Sequence, residues 1–190
     1  MKYVLLICGC LFLGALHAQQ PAADPLKAIK VRTIEGRAFS LSGIHKQLTA
    51  LVFLSPDCPL SRNYTIVLNE LQKNKKDSLA IVGIFAGSAY SDDEIKAFQQ
   101  KYAVDFVLVR DKKEALVNYT QATVTPEVFL YDNNSVLVYN GAIDDWAVSL
   151  GKKKRQADHH YLRDAIDNFL QHRTVNPFKT TAVGCLISNK

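Results

Sequence analysis

Apolar positions in this chain alternate between short unbroken runs and stretches where they recur every three or four residues. The run 51–54 (LVFL) is wholly apolar and reads as a buried strand. Segments 79–85 and 106–109 repeat that pattern. Between the first two runs, Tyr64, Val67, Leu68 and Leu71 fall at helical spacing, and Ile95, Phe98 and Tyr102 do so after the second. Ser91 with Glu94 forms a capping box that opens this second helix. Asp111 with Glu114 opens a short third one carrying Leu116 and Tyr119. Alternating segments 30–34 and 38–41 flank Glu35-Gly36 and predict a hairpin. Segments 127–131 and 136–139, joined by Asp132-Asn133-Asn134-Ser135, predict another. Leu162, Ala165, Ile166, Phe169 and Leu170 mark a last helix.

Strands that alternate with helices imply a mostly parallel sheet covered on both faces, and the closing hairpin adds antiparallel strands. The expected architecture is a three-layer α/β domain over 28–172, with a mixed central sheet and an N-terminal hairpin. A Pro- and Ala-rich polar stretch, 19–27, reads as a flexible lead-in, and 173–190 as a C-terminal tail without strong period.

Composition adds little: 190 residues, 48% hydrophobic and 22% charged, suit one domain with its own core. The net charge of +5 could favour anionic partners. The densest basic run, 152–155, is short and has no interleaved aromatics, so it reads as a solvated loop and nucleic acid is not expected as a partner.

The first eighteen residues change the picture. Lys2 precedes an apolar stretch, 4–15, too short to span a bilayer comfortably, and Leu16-His17-Ala18 follows. This reads as a secretory signal peptide over 1–18, cut before Gln19, and places the protein in the periplasm or outside the cell. A lipoprotein anchored through Cys10 is the second reading. No membrane span is expected in the mature chain. Of the four cysteines, Cys8 and Cys10 leave with the signal, so Cys58 and Cys185 remain. Two cysteines in an exported protein serve as a structural staple or in redox work.

Cys58 is the candidate centre. It stands where a buried strand gives way to a helix, and Pro59 suits the first helical position. Free backbone N–H groups and the helix dipole at that point favour an anion and hence a thiolate. The polar loop Ser55-Pro56-Asp57 argues for partial exposure, while the Asp57 carboxylate opposes ionisation. Asp144-Asp145-Trp146 reads as a loop packed by its tryptophan. His159 and His160 could join the cysteines as soft-metal ligands, but the preferred reading is the polar first turn of a helix. Neither metal nor cofactor is expected.

The order strand, Cys58-Pro59, helix, then Val124-Thr125-Pro126 leading into Val128-Phe129-Leu130-Tyr131-Asp132 resembles the thioredoxin-like redoxins. That group includes the alkyl hydroperoxide reductase/thiol-specific antioxidant family and the exported thiol–disulfide oxidoreductases. The resemblance implies a thioredoxin-like fold, a cis bond before Pro126, and a cleft at Cys58 shaped by Ser55, Pro59, Ser61, Thr125 and Pro126. Two departures stand out. Ser61 occupies the position of the second cysteine of the paired motif, and Leu51 stands where peroxiredoxins carry a proline. Ser55 stands where they carry a hydrogen-bonding threonine, and Arg62 and Arg110, otherwise surface residues, are the candidates for their guanidinium. Cys185, in an apolar Cys-Leu-Ile segment, would be a resolving cysteine if the tail reaches Cys58.

Three functions follow as expectations. The first is a thiol-dependent oxidoreductase with Cys58 as nucleophile and Cys185 as partner, acting on protein disulfides with an unknown thiol electron donor. The second is a thiol peroxidase, a peroxiredoxin-like antioxidant acting on a small peroxide. The third is a copper-binding or envelope-docking module without turnover.

Overall fold

A computed structural model describes residues 24–187; the signal-peptide reading and most of the lead-in lie outside them. In chain order the elements are α1 (Pro25–Ala28), β1 (Lys30–Thr33), β2 (Ala38–Ser40), a 3-10 turn (Leu41–Gly43), β3 (Leu48–Phe53), α2 (Pro59–Asn74) and β4 (Leu79–Ala86). They continue with α3 (Asp92–Lys101), β5 (Val107–Asp111), α4 (Ala115–Thr120), β6 (Val124–Thr125), β7 (Glu127–Asp132) and β8 (Leu137–Gly141). The last are β9 (Ala147–Ser149), β10 (Lys152–Lys153), α5 (Tyr161–Leu170) and β11 (Cys185–Leu186).

Seven strands form one sheet in the order β2-β1-β5-β4-β3-β7-β8. β3, β4 and β5 run parallel, and the two hairpins join antiparallel at either side. Alternate residues of β3 feed opposite cores. Ala50 and Val52 face Tyr64, Leu68, Phe98, Leu162 and Ile166 from α2, α3 and α5. Leu51 and Phe53 face Leu26, Leu116 and Val117 from α1 and α4. Helices thus cover both faces of a mixed sheet, three on one side and two short ones on the other. Each fully buried Leu, Ile or Phe in these layers contributes roughly 1.5–3 kcal/mol.

Several local expectations change. Part of the lead-in is ordered: Asp24 accepts the N–H groups of Leu26 and Lys27 and caps α1, and Leu26 is buried. At α4, Glu114 takes a left-handed conformation instead of completing a capping box. The Asp111 carboxylate alone receives the N–H groups of Ala115, Leu116 and Val117. The tail is not a free end. Phe178 and Thr180 exchange backbone hydrogen bonds with Asn140, and the Thr180 hydroxyl meets the Tyr139 hydroxyl and the Ala142 N–H. The tail then runs to β11, which pairs antiparallel with β6.

Candidate active site: a dithiol under the tail

β3 ends at Phe53, the chain turns through 55–57, and Cys58 caps α2 with Pro59 as its first residue. Cys58 makes no side-chain capping bond, so its sulfur is free to face the strand end opposite. That strand end is β6. The Thr125 carbonyl lies 3.0 Å from Cys58 Sγ, and the Thr125–Pro126 bond is cis, as in the redoxins. Pairing of β11 with β6 sets Cys185 opposite Thr125 and brings its sulfur to 2.8 Å from Cys58 Sγ. Both cysteines are free thiols. Thr125 contributes from its side chain as well, donating its hydroxyl to the Cys185 carbonyl at 3.4 Å.

Cys58 is 1% exposed, so the partial exposure expected from its polar loop is not found; the tail covers it, and Cys185 is the more accessible sulfur. Burial pushes the Cys58 thiol up. The Cys185 thiol and the N–H groups of Ser61, Cys185 and Leu60 overcome that and bring it below the ordinary thiol value. The Thr125 carbonyl pulls the other way, since it accepts the proton of the neutral thiol. Burial, with the neighbouring Cys58 sulfur, pushes Cys185 up to about 11. The pair therefore ionises first at Cys58. Asp57, expected to oppose this, is exposed and faces Arg62 at 3.9 Å.

The remaining cleft residues divide. Ser61 is fully buried, and its hydroxyl receives the Ser55 N–H at 3.2 Å, which ties the turn to the first turn of α2. Pro59 is exposed beside the cysteine. Ser55 accepts the Cys58 N–H at its carbonyl, 3.2 Å away, but its hydroxyl does not reach the sulfur and pairs at 2.8 Å with that of Tyr90, a residue that carried no motif. Arg110 is not a surface residue. It is 9% exposed and donates to Asp92 and to the Tyr90 carbonyl, so it fixes the loop that brings Tyr90 to the site. Arg62 donates to the Pro56 carbonyl at 2.6 Å and braces the same turn. Neither guanidinium hydrogen-bonds the sulfur; among the described residues the Arg110 Nε is buried without a partner.

The other candidates lie elsewhere. Asp144 is buried and receives the Tyr64 hydroxyl, while Trp146 packs edge-on against Tyr64. His159 stacks on Tyr161 at the start of α5. Among the described residues, no group of three or more His, Cys, Asp or Glu side chains is arranged to hold a metal ion. No helix among them is long and apolar enough to cross a membrane.

A parallel core of three strands, flanking hairpins, a cysteine at a helix start and a cis-proline loop against it define a thioredoxin-like redoxin. The profile of the AhpC/TSA family matches residues 22–140, and the chain belongs to that family. It is 27% identical over 125 residues to thioredoxin-like protein YneN of Bacillus subtilis (strain 168), covering 65% of this chain and 69% of that protein. A hypothetical protein of Sinorhizobium meliloti 1021 has a similar solved structure, with a TM-score of 0.75 and 25% identity over 84% of this chain and 89% of that one. A secreted Mycobacterium tuberculosis disulfide oxidoreductase shares the fold, at a TM-score of 0.54 and 18% identity, over 61% of this chain and 84% of its own.

Proposed function

We propose that this protein is an exported thiol–disulfide oxidoreductase whose redox couple is Cys58 with Cys185. The observation that carries this reading is the 2.8 Å approach of two free sulfurs with opposite displacements in acidity. The Cys58 thiolate attacks one sulfur of a client disulfide, and the first client thiolate leaves. Forming that mixed disulfide removes the negative charge beside Cys185, so its thiol gives up a proton more readily. The Cys185 thiolate then attacks Cys58 Sγ and expels the second client thiolate. The client gains two electrons and the protein loses them, so its two sulfurs are left joined as a Cys58–Cys185 bond until a thiol donor reduces it again. The second cysteine of a paired motif, absent at Ser61, is replaced by one carried on the tail. A peroxidase would draw on hydroxyl and guanidinium donors at the sulfur. Ser55, Arg62 and Arg110 are engaged elsewhere, which favours disulfide exchange.

The test is a non-reducing peptide map after mild oxidation, beside a client-disulfide reduction assay. A Cys58–Cys185 bond is expected. Cys58→Ser should abolish exchange, and Cys185→Ser should accumulate a mixed disulfide at Cys58. Hydrogen peroxide turnover faster than disulfide exchange would move the protein to the peroxidases. Export is tested separately: N-terminal sequencing of the exported protein should begin at Gln19, as the apolar 4–15 stretch implies.

A further inference from the structure

The tail that delivers Cys185 lies outside the residues matched by the family profile and is built with unusual care. Two glycines make its track. Gly141 sits at φ +134, and a Cβ there would strike the Thr180 carbonyl. A Cβ on Gly184 would be driven into the Thr125 carbonyl in the same way. Between these slots the chain becomes a strand. Cys185 pairs with Thr125, Leu186 with Val124, and the Ile187 N–H donates to the Thr123 carbonyl at 2.9 Å. Side chains alternate accordingly. Val183 and Cys185 pack against one core and Ile187 against the other, whereas Leu186 is 80% exposed. Among the described residues β6 has no strand neighbour except β11, so removal of the tail would leave a bare strand edge beside Cys58.

We propose that the tail is an internal copy of the client: a protein substrate docks on the same β6 edge, as an extended segment of the form apolar-Gly-Cys-any-apolar, after displacing residues 183–187. This deepens, and rests on, the oxidoreductase reading. The backbone edge supplies the pairing for any extended chain. The slot against Thr125 demands glycine just before the cysteine, and the alternating burial demands apolar residues two positions to either side of it. The residue after the cysteine is free, because Leu186 faces solvent. A docked client cysteine would meet Cys58 where Cys185 now lies. Its disulfide with a second client cysteine would then be attacked by the Cys58 thiolate, that second sulfur would leave with the electron pair, and residues 183–187 would re-dock so that the Cys185 thiolate expels the docked client cysteine from Cys58.

The experiment uses the full chain, reduced, with a fluorescent peptide carrying residues 180–187 and serine in place of the cysteine. Serine keeps the assay independent of thiol exchange, so its failure is distinct from failure of the redox reading, which the peptide map reports. Gly184→Val is used to release the tail, and Ile187→Asp serves as a second release variant. Faster alkylation of Cys58 with an unchanged melt of the domain reports release. A docked tail competes at an effective concentration on the order of millimolar, so the peptide should bind each released variant about tenfold or more tighter than wild type. A peptide with valine for glycine should lose binding, and one with glutamate for leucine should keep it. Unchanged Cys58 protection in both variants would overturn the slot. Equal peptide affinity for wild type and variants, no affinity for a released variant, or indifference to the glycine would overturn the client copy.

Discussion

A thiol at the first turn of a helix is pulled two ways, toward ionisation by free N–H groups and toward neutrality by burial. At Cys58 the N–H groups of Leu60, Ser61 and Cys185 and the Cys185 thiol prevail, and at Cys185 burial and the neighbouring sulfur prevail. The thiolate absorbance of the reduced protein should therefore appear in two steps. The first, lost in Cys58→Ser, falls below the ~8.5 of a free thiol, and the second lies near about 11. A single step at the free-thiol value would remove the basis for Cys58 as attacking group. The two displacements also bracket the pH at which the reduced tail stays down. Part of the lowering at Cys58 comes from the Cys185 thiol and N–H, and that part of its contribution to docking is complete above the ordinary thiol range and is lost as pH falls through its own ionisation. Cys185 has a raised value, so its contribution is complete below the ordinary range and is lost as pH rises toward about 11. Proteolysis of the tail in reduced protein should thus be slowest between those limits and quicken on both sides. A rate that changes in one direction only would contradict the pairing.

Capping decides where the helices begin. The Asp111 carboxylate is 1% exposed and receives three N–H groups at the start of α4. Asp111→Ala strands those donors, and the expected loss is about 2 kcal/mol, read as a lower urea midpoint with unchanged slope. A loss under half that would mean water replaces the carboxylate. α3 also serves the site. Ser91 and Glu94 make the capping box that the sequence announces, and Arg110 ties Asp92 and the Tyr90 carbonyl just before it. The Ser55–Tyr90 pair depends on that anchoring. Arg110→Met should weaken it and speed Cys58 alkylation while leaving the melt of the remaining helices in place.

Oxidation acts on the whole molecule. Joining Cys58 to Cys185 closes a loop spanning 127 positions, and loop entropy puts the limit for ~100 residues at about 4.7 kcal/mol. The two cores do not need that bond, since their buried residues all lie between Leu26 and Ile166 and the tail adds only partly buried ones. Oxidised protein should melt several degrees above reduced protein, and Cys185→Ser should match the reduced wild type. Collapse of Cys185→Ser would make the bond a structural staple and end the redox reading.

Much of this was legible in the linear pattern. Continuous apolar runs at β3, β4 and β5 announced central strands because both of their faces are buried. Pro59 after an apolar strand announced a helix start with a cysteine at its cap, whereas the placing of Thr125-Pro126 opposite it came from the resemblance to the redoxins. The strand and helix signals are local: each comes from backbone geometry or periodicity within a few residues. Tertiary structure alone decided the rest. Ser55 turned to Tyr90 because the loop before α3 is drawn in by a buried arginine. Cys58 lost its exposure because the tail folds over it. The tail carries no period, so its path rests on two glycines and on backbone groups of Asn140 and Thr125. Such groups are the same in every residue and leave no mark in a sequence until a partner strand is found for them.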